Sequence, residues 1–129
     1  MKSIVLCSSR RFRDEAFSFL DKLEKLGVSV LRPQLKIWTD DEWGVLTREQ
    51  KQAEVSVLTL AHFEKIDKAD VVFLYNKDGY SGVSVTLELA YGHAKEKPIY
   101  ALSEDREYAR NALYAGFASS PEELFKFLK

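Results

Sequence analysis

A glutamate inside an apolar run, a histidine on an apolar stripe and two short loops rich in serine, arginine and glycine are the residues whose types and spacing suit chemistry. Glu88 shares its segment with Val85, Leu87, Leu89, Ala90, Tyr91 and Ala94, which would make a helix apolar on most sides. A carboxylate there is costly unless it is paired, hydrogen-bonded or facing a polar cleft. Glu88 is therefore either a functional acid or the one residue on an exposed helix edge. His62 falls on the stripe Leu58, His62, Ile66. It is either a core histidine with its hydrogen bonds satisfied or a proton-transfer group. Ser8-Ser9-Arg10-Arg11 offers hydroxyls, guanidinium groups and the N–H groups of a helix start, a set that suits a phosphate or carboxylate. The alternative is a solvated basic loop. The loop holds no glycine, so it is neither a Walker loop nor a dinucleotide fingerprint. Asn76 opens a second loop, in which Gly79, Tyr80, Ser81, Gly82 and Ser84 would let backbone approach a ligand and place hydroxyls beside a helix start. The alternative there is an ordinary turn with an N-cap serine.

The elements that must position these residues alternate strand and helix. Ile4-Val5-Leu6-Cys7 and Asp70 to Tyr75 are short apolar runs typical of strands buried on both faces. Further strands are expected at 28–31 and 98–102, and a weaker one at 113–118. Phe12, Ala16, Phe19, Leu20, Leu23 and Leu26 recur at helical spacing, with Gly27 as the stop. Thr47-Arg48-Glu49-Gln50 fits a capping box opening a helix to about Lys68. Ser84 is expected to cap a helix to about Lys95, and Ser120-Pro121 a last one. Residues 34–46 show no period and are expected to be a loop, with Asp40-Asp41-Glu42 at its solvated tip. The pattern predicts one α/β domain over residues 1–129: a doubly wound, flavodoxin-like (Rossmann-like), five-stranded and mainly parallel sheet of order 2-1-3-4-5, with helices on both faces. Ligands bind such sheets beyond the strand C-termini where the order reverses. Here that point lies between strands one and three, whose outgoing loops are the two singled out above.

Composition narrows the function classes. The 129 residues are 46% hydrophobic and 30% charged, enough to bury a core. Nineteen Lys and Arg balance twenty Asp and Glu for a net charge of −1, so no nucleic acid polymer is expected as partner. No apolar run reaches the ~20 residues of a membrane span, and no leader is visible before the first strand, which together point to a cytoplasmic protein without a membrane partner. One cysteine, Cys7, excludes an internal disulfide and any CxxC metal site, and it is expected to pack as a small hydrophobe. With two histidines in all, no metal centre and no cofactor are expected. Trp38 and Trp43 are expected in packing or at a dimer seam, with stacking on a planar ligand as the alternative. The apolar helix over 84–95 and the two tryptophans point to a homodimer or higher homo-oligomer.

Four strings carry a family resemblance: Ala69-Asp70-Val71-Val72, the glycine-serine loop, Leu87-Glu88-Leu89-Ala90-Tyr91-Gly92 and Lys97-Pro98-Ile99-Tyr100. Together they resemble the nucleoside 2-deoxyribosyltransferase-like superfamily, which includes deoxynucleoside-monophosphate N-glycosidases. The opening Cys7-Ser8-Ser9-Arg10-Arg11 resembles its nucleotide-hydrolysing branch. The resemblance implies a nucleoside or nucleotide as small-molecule substrate. It implies Glu88 as the nucleophile at the anomeric carbon, resolved afterwards by water or a second base. It further implies Ser9 and Arg11 on a 5′-phosphate, and Ser81, Ser84 and the Gly82 backbone along the sugar or phosphate. Two positions depart from the family pattern. His62 stands where the characterised enzymes carry an Asp that assists base departure, and it would do general-acid work there. Gly82 stands where they carry a sugar-contacting Asp or Ser. A non-catalytic nucleotide-binding module on the same fold is the alternative function. A phosphoribohydrolase of the cytokinin-activating type lacks support, because its PGG-x-GT-x-x-E string is missing.

Overall fold

A computed structural model describes residues 1–129. Five strands form one sheet in the order β2-β1-β3-β4-β5: β1 (Ile4–Ser8), β2 (Val30–Leu31), β3 (Val71–Tyr75), β4 (Ile99–Ala101) and β5 (Gly116–Phe117). Every pairing is parallel, so the sheet expected to be mainly parallel is wholly so. The centre is the longest ladder, with Ile4 opposite Val71 and Ser8 opposite Tyr75. Parallel neighbours need crossovers, and helices provide them: α1 (Arg13–Lys25), α2 (Asp40–Gly44), α3 (Arg48–Lys68), α4 (Val83–Ala94) and α5 (Tyr108–Asn111), with α6 (Pro121–Leu128) following the last strand.

The period of two along each strand sorts the core into two layers. Ile4 and Leu6 of β1, with Val71 and Phe73 of β3, meet Ala16, Phe19, Leu20 and Leu23 of α1 and Leu124 and Leu128 of α6. Val5 and Cys7, with Val72 and Leu74, face the other way, toward Ile66 of α3 and Val85 and Leu89 of α4. A strand buried on both faces reads as an apolar run, as β1 does up to Ser8 and β3 up to Tyr75. The helix starts follow their caps. The Thr47 hydroxyl accepts the Gln50 N–H while the Gln50 side chain accepts the Thr47 N–H. Ser120 caps α6 with Pro121 at its first position.

Three expectations need correction. Residues 34–46 are not all loop, because Thr39 accepts the Glu42 N–H and opens α2. Asp40, Asp41 and Glu42 form its first turn, where carboxylates complement the helix dipole. The N-cap of α4 is Gly82 rather than Ser84, which lies inside the first turn. The strand expected over 113–118 shrinks to two residues, since Leu113 and Tyr114 extend the turn after α5.

Candidate functional site

Cys7, His62 and Glu88 come from three separate elements and meet at one point. Cys7 is the fourth residue of β1 and faces the α3–α4 layer, as Val5 does two residues earlier. His62 sits on the face of α3 that carries the buried Ile66. Glu88 lies one turn after the start of α4. The two helices are locked together nearby. Phe63 and Tyr91 stack with ring centroids 4.3 Å apart and planes 5° apart. The Tyr91 hydroxyl donates to the Asp67 carboxylate at 2.8 Å. Phe63 follows His62 directly, and Tyr91 is about one turn beyond Glu88, so this clamp fixes the separation of the two site residues.

His62 Nε2 lies 3.5 Å from Glu88 Oε2 and 3.5 Å from Cys7 Sγ. The His62 side chain is 5% exposed and that of Glu88 12%. Burial sets the electrostatics, because a charge removed from water is costly. It pushes the Glu88 carboxyl up from 4.5 to about 8, with a contact to Cys7 pulling weakly the other way. It pulls His62 down from 6.5 to about 4, helped by the charge of Lys65 and opposed by the Leu6 backbone. Burial, followed by the Glu88 charge, lifts the Cys7 thiol well above its ordinary value. Between about 4 and about 8 the Glu88–His62 pair therefore shares one proton and bears no net charge.

The pair faces a cleft of about 290 Å³. One side is the turn from β1 to α1, with Ser8, Ser9 and Arg10. Another is the start of α4, with Gly82, Val83, Ser84 and Val85. Leu35, Val55 and Leu58 give the cleft an apolar wall, and Glu88 is the one carboxylate that lines it. This is the switch point between β1 and β3 named from the sequence.

Seven of the candidate residues thus share one environment: Ser8, Ser9, Arg10, His62, Gly82, Ser84 and Glu88 line the cleft, and Cys7, which was not among the candidates, stands behind the pair. Other candidates are placed elsewhere. Arg11 does not line the cleft; its guanidinium lies over the Tyr80 ring, 3.8 Å from the centroid. The Ser9 hydroxyl accepts the Arg11 N–H at 3.3 Å and so caps the short 3₁₀ turn ahead of α1. Asn76 is fully buried, and its side chain is consumed by Ser103, donating to the carbonyl at 2.8 Å and accepting the N–H at 3.0 Å. Gly79 has φ of +74°, and a Cβ there would lie 2.6 Å from the Glu104 carbonyl. Glycine is required at that position by the turn, with no ligand involved. Ser81 is 9% exposed and its hydroxyl has no partner, but it does not line the cleft.

Two features escaped sequence reasoning. Cys7 was read as a small hydrophobe in isolation, although its place at the C-terminal end of β1 put it at the switch point. The side chain of Asp105 is fully buried, accepts from Arg110 Nε and from the Tyr114 hydroxyl at 2.6 Å, and Arg110 in turn reaches Thr86 on α4 at 3.3 Å. The polar run after β4 carried no periodic signal that would have marked this network.

No family model matches the sequence, and no curated protein matches it. A solved crystal structure, that of a conserved protein from Enterococcus faecalis V583, is similar in fold. It has a TM-score of 0.58 and 13% identity, over 98% of this chain and 96% of that one.

Proposed function

We propose that the chain acts on the N-glycosidic bond of a nucleoside or nucleotide, by hydrolysis or transfer, with Glu88 as nucleophile, in the manner of the nucleoside 2-deoxyribosyltransferase-like superfamily. The observation that carries this reading is the convergence of the Glu88–His62 pair and the Ser8–Arg10 turn on one cleft at the switch point. A retaining displacement needs a carboxylate able to approach the anomeric carbon and an environment that tolerates oxocarbenium-like charge. Glu88 is the cleft's sole carboxylate, and its anionic form would stabilise that charge. Its own proton must first leave. His62, held neutral near pH 7 with Nε2 3.5 Å from the carboxyl, is too weak a base to take it and would instead orient the carboxyl, a role different from donating to the leaving base. The apolar wall of Leu35, Val55 and Leu58 suits a base, and the Ser8–Arg10 turn suits a 5′-phosphate. Arg10 replaces Arg11 in that role, because Arg10 lines the cleft. The active form would be a homodimer or higher homo-oligomer, supported by apolar side chains left outward on α3 and α4: Leu60 is 62% exposed and Leu87 53%.

A non-catalytic nucleotide-binding module is the second reading. It is favoured by the burial that keeps Glu88 protonated at neutral pH. Incubation with a panel of nucleosides and 5′-monophosphates, followed by chromatography for free base, separates the two. Released base supports the enzyme; ligand-induced thermal stabilisation without release supports the module.

A further inference from the structure

Three different ligand types, a thiol, an imidazole and a carboxyl, crowd the inner end of the cleft. Cys7 Sγ, His62 Nε2 and one Glu88 carboxylate oxygen all lie within 4.8 Å of one another, and two of the separations are 3.5 Å. With bonds of about 2.0–2.3 Å and tetrahedral angles, neighbouring ligands of a zinc-class ion stand roughly 3.3–3.8 Å apart. The pocket is thus already near the required size. We propose that Cys7, His62 and Glu88 form a three-ligand site for a borderline-soft divalent cation of the zinc class, with its fourth coordination position open to the cleft.

Thiolate, imidazole and carboxylate are the ligand types this class of ion takes, and three protein ligands with one open position is the pattern of reactive rather than structural sites. The imidazole is oriented for it. His62 turns Nε2 toward both partners. The histidine is 4% exposed and Cys7 wholly buried, so neither is held where it is by solvent. Charge also balances. On binding, the Cys7 thiol and the Glu88–His62 pair each release one proton to solvent, and bonds form from sulfur, nitrogen and oxygen to the ion. The thiolate and carboxylate then cancel the two positive charges of the cation, as a buried site requires. The ion would enter from the cleft, which His62 and Glu88 both line and Cys7 does not. The site does not depend on Glu88 attacking a sugar; where both hold, ion and sugar compete for one carboxylate.

The test is titration of the reduced protein with Co²⁺, followed by displacement with Zn²⁺. The expected result is one Co²⁺ per chain, a near-ultraviolet thiolate-to-cobalt charge-transfer band, intense visible bands of four-coordinate cobalt, and loss of all of them when Zn²⁺ is added. Because the chain has a single cysteine, that band in the native protein reports Cys7 alone, even if Cys7→Ala does not fold. Cys7→Ala, where folded, should lose the band. Glu88→Gln should weaken Co²⁺ binding by at least the ~10–100-fold that loss of an outer-shell partner costs. His93→Ala, at an exposed histidine away from the cluster, should change nothing. Absence of the charge-transfer band at saturating Co²⁺, or unchanged affinity in Glu88→Gln, would overturn the proposal.

Discussion

At the scale of the residue, the site is governed by what burial does to a carboxyl and an imidazole 3.5 Å apart. Glu88 gives up its proton near pH 8, so the ionised fraction of this carboxyl grows through that range. If Glu88 is the nucleophile, kcat/KM should rise with pH up to about 8 and then level, measured as free base released at low substrate. A profile already flat from pH 6 would contradict the assigned role. His62→Ala removes the imidazole that would orient the Glu88 carboxyl. It should lower turnover by up to about 10²-fold, as misplacing a reacting group does, and it should also lower the melting temperature, because the imidazole fills a buried space. Glu88 and His62 were legible from residue type against helical spacing. Cys7 was not, because its role depends on a contact across 55 positions in sequence that no local pattern encodes.

At the scale of the element, the loops behave differently from one another. The turn from β1 to α1 places Arg10 on the cleft and Arg11 on Tyr80. Arg10→Ala should therefore weaken 5′-monophosphate binding more than nucleoside binding, read by calorimetry, and salt should weaken the same contact. Arg11→Ala should spare that difference. The loop after β3 was expected to bind ligand along its whole length. Its first half instead builds the turn itself, through the Asn76–Ser103 pair and Gly79, and only its end, Gly82, Val83 and Ser84, reaches the cleft. Turn chemistry and binding chemistry use the same residue types, so composition could not separate them. The Asp105 cluster holds α5 against α4 through Arg110 and Thr86. Asp105→Ala leaves Arg110 and Tyr114 without their acceptor and should cost about 3 kcal/mol in denaturant unfolding.

At the scale of the whole molecule, the central strands were legible because a sheet covered on both faces needs uninterrupted apolar runs, and β1 and β3 have them. The edge strands were overestimated, since only two residues of β2 and of β5 join the ladder. The thin helix α2 was hidden by the lack of any apolar face to bury. Stability should carry the signature of the buried pair. Glu88 binds its proton more tightly when folded, so its contribution is full below the ordinary 4.5 and is lost as pH rises to about 8. His62 binds its proton less tightly when folded, so its contribution is full above the ordinary 6.5 and is lost as pH falls to about 4. From about 4.5 to 6.5 the two slopes oppose each other. From 6.5 to about 8 only the Glu88 slope remains, and stability should fall by at most about 1.4 kcal/mol per pH unit. Urea unfolding across that window should show the fall, and Glu88→Gln should remove it. Light scattering should report a dimer or larger species, and Leu60→Glu with Leu87→Glu should reduce it to monomer.

The central claim is that Glu88 attacks a glycosidic carbon, and the most direct measurement is base release by the native protein and by Glu88→Gln on one panel of nucleosides and 5′-monophosphates. Glutamine keeps the shape of the side chain but can neither attack C1′ nor carry the negative charge that stabilises an oxocarbenium-like sugar. The expected result is free base from at least one substrate with the native protein and none with Glu88→Gln, while calorimetry shows that the variant still binds that substrate. Full base release by Glu88→Gln, or none by the native protein on any member of the panel, would contradict the claim.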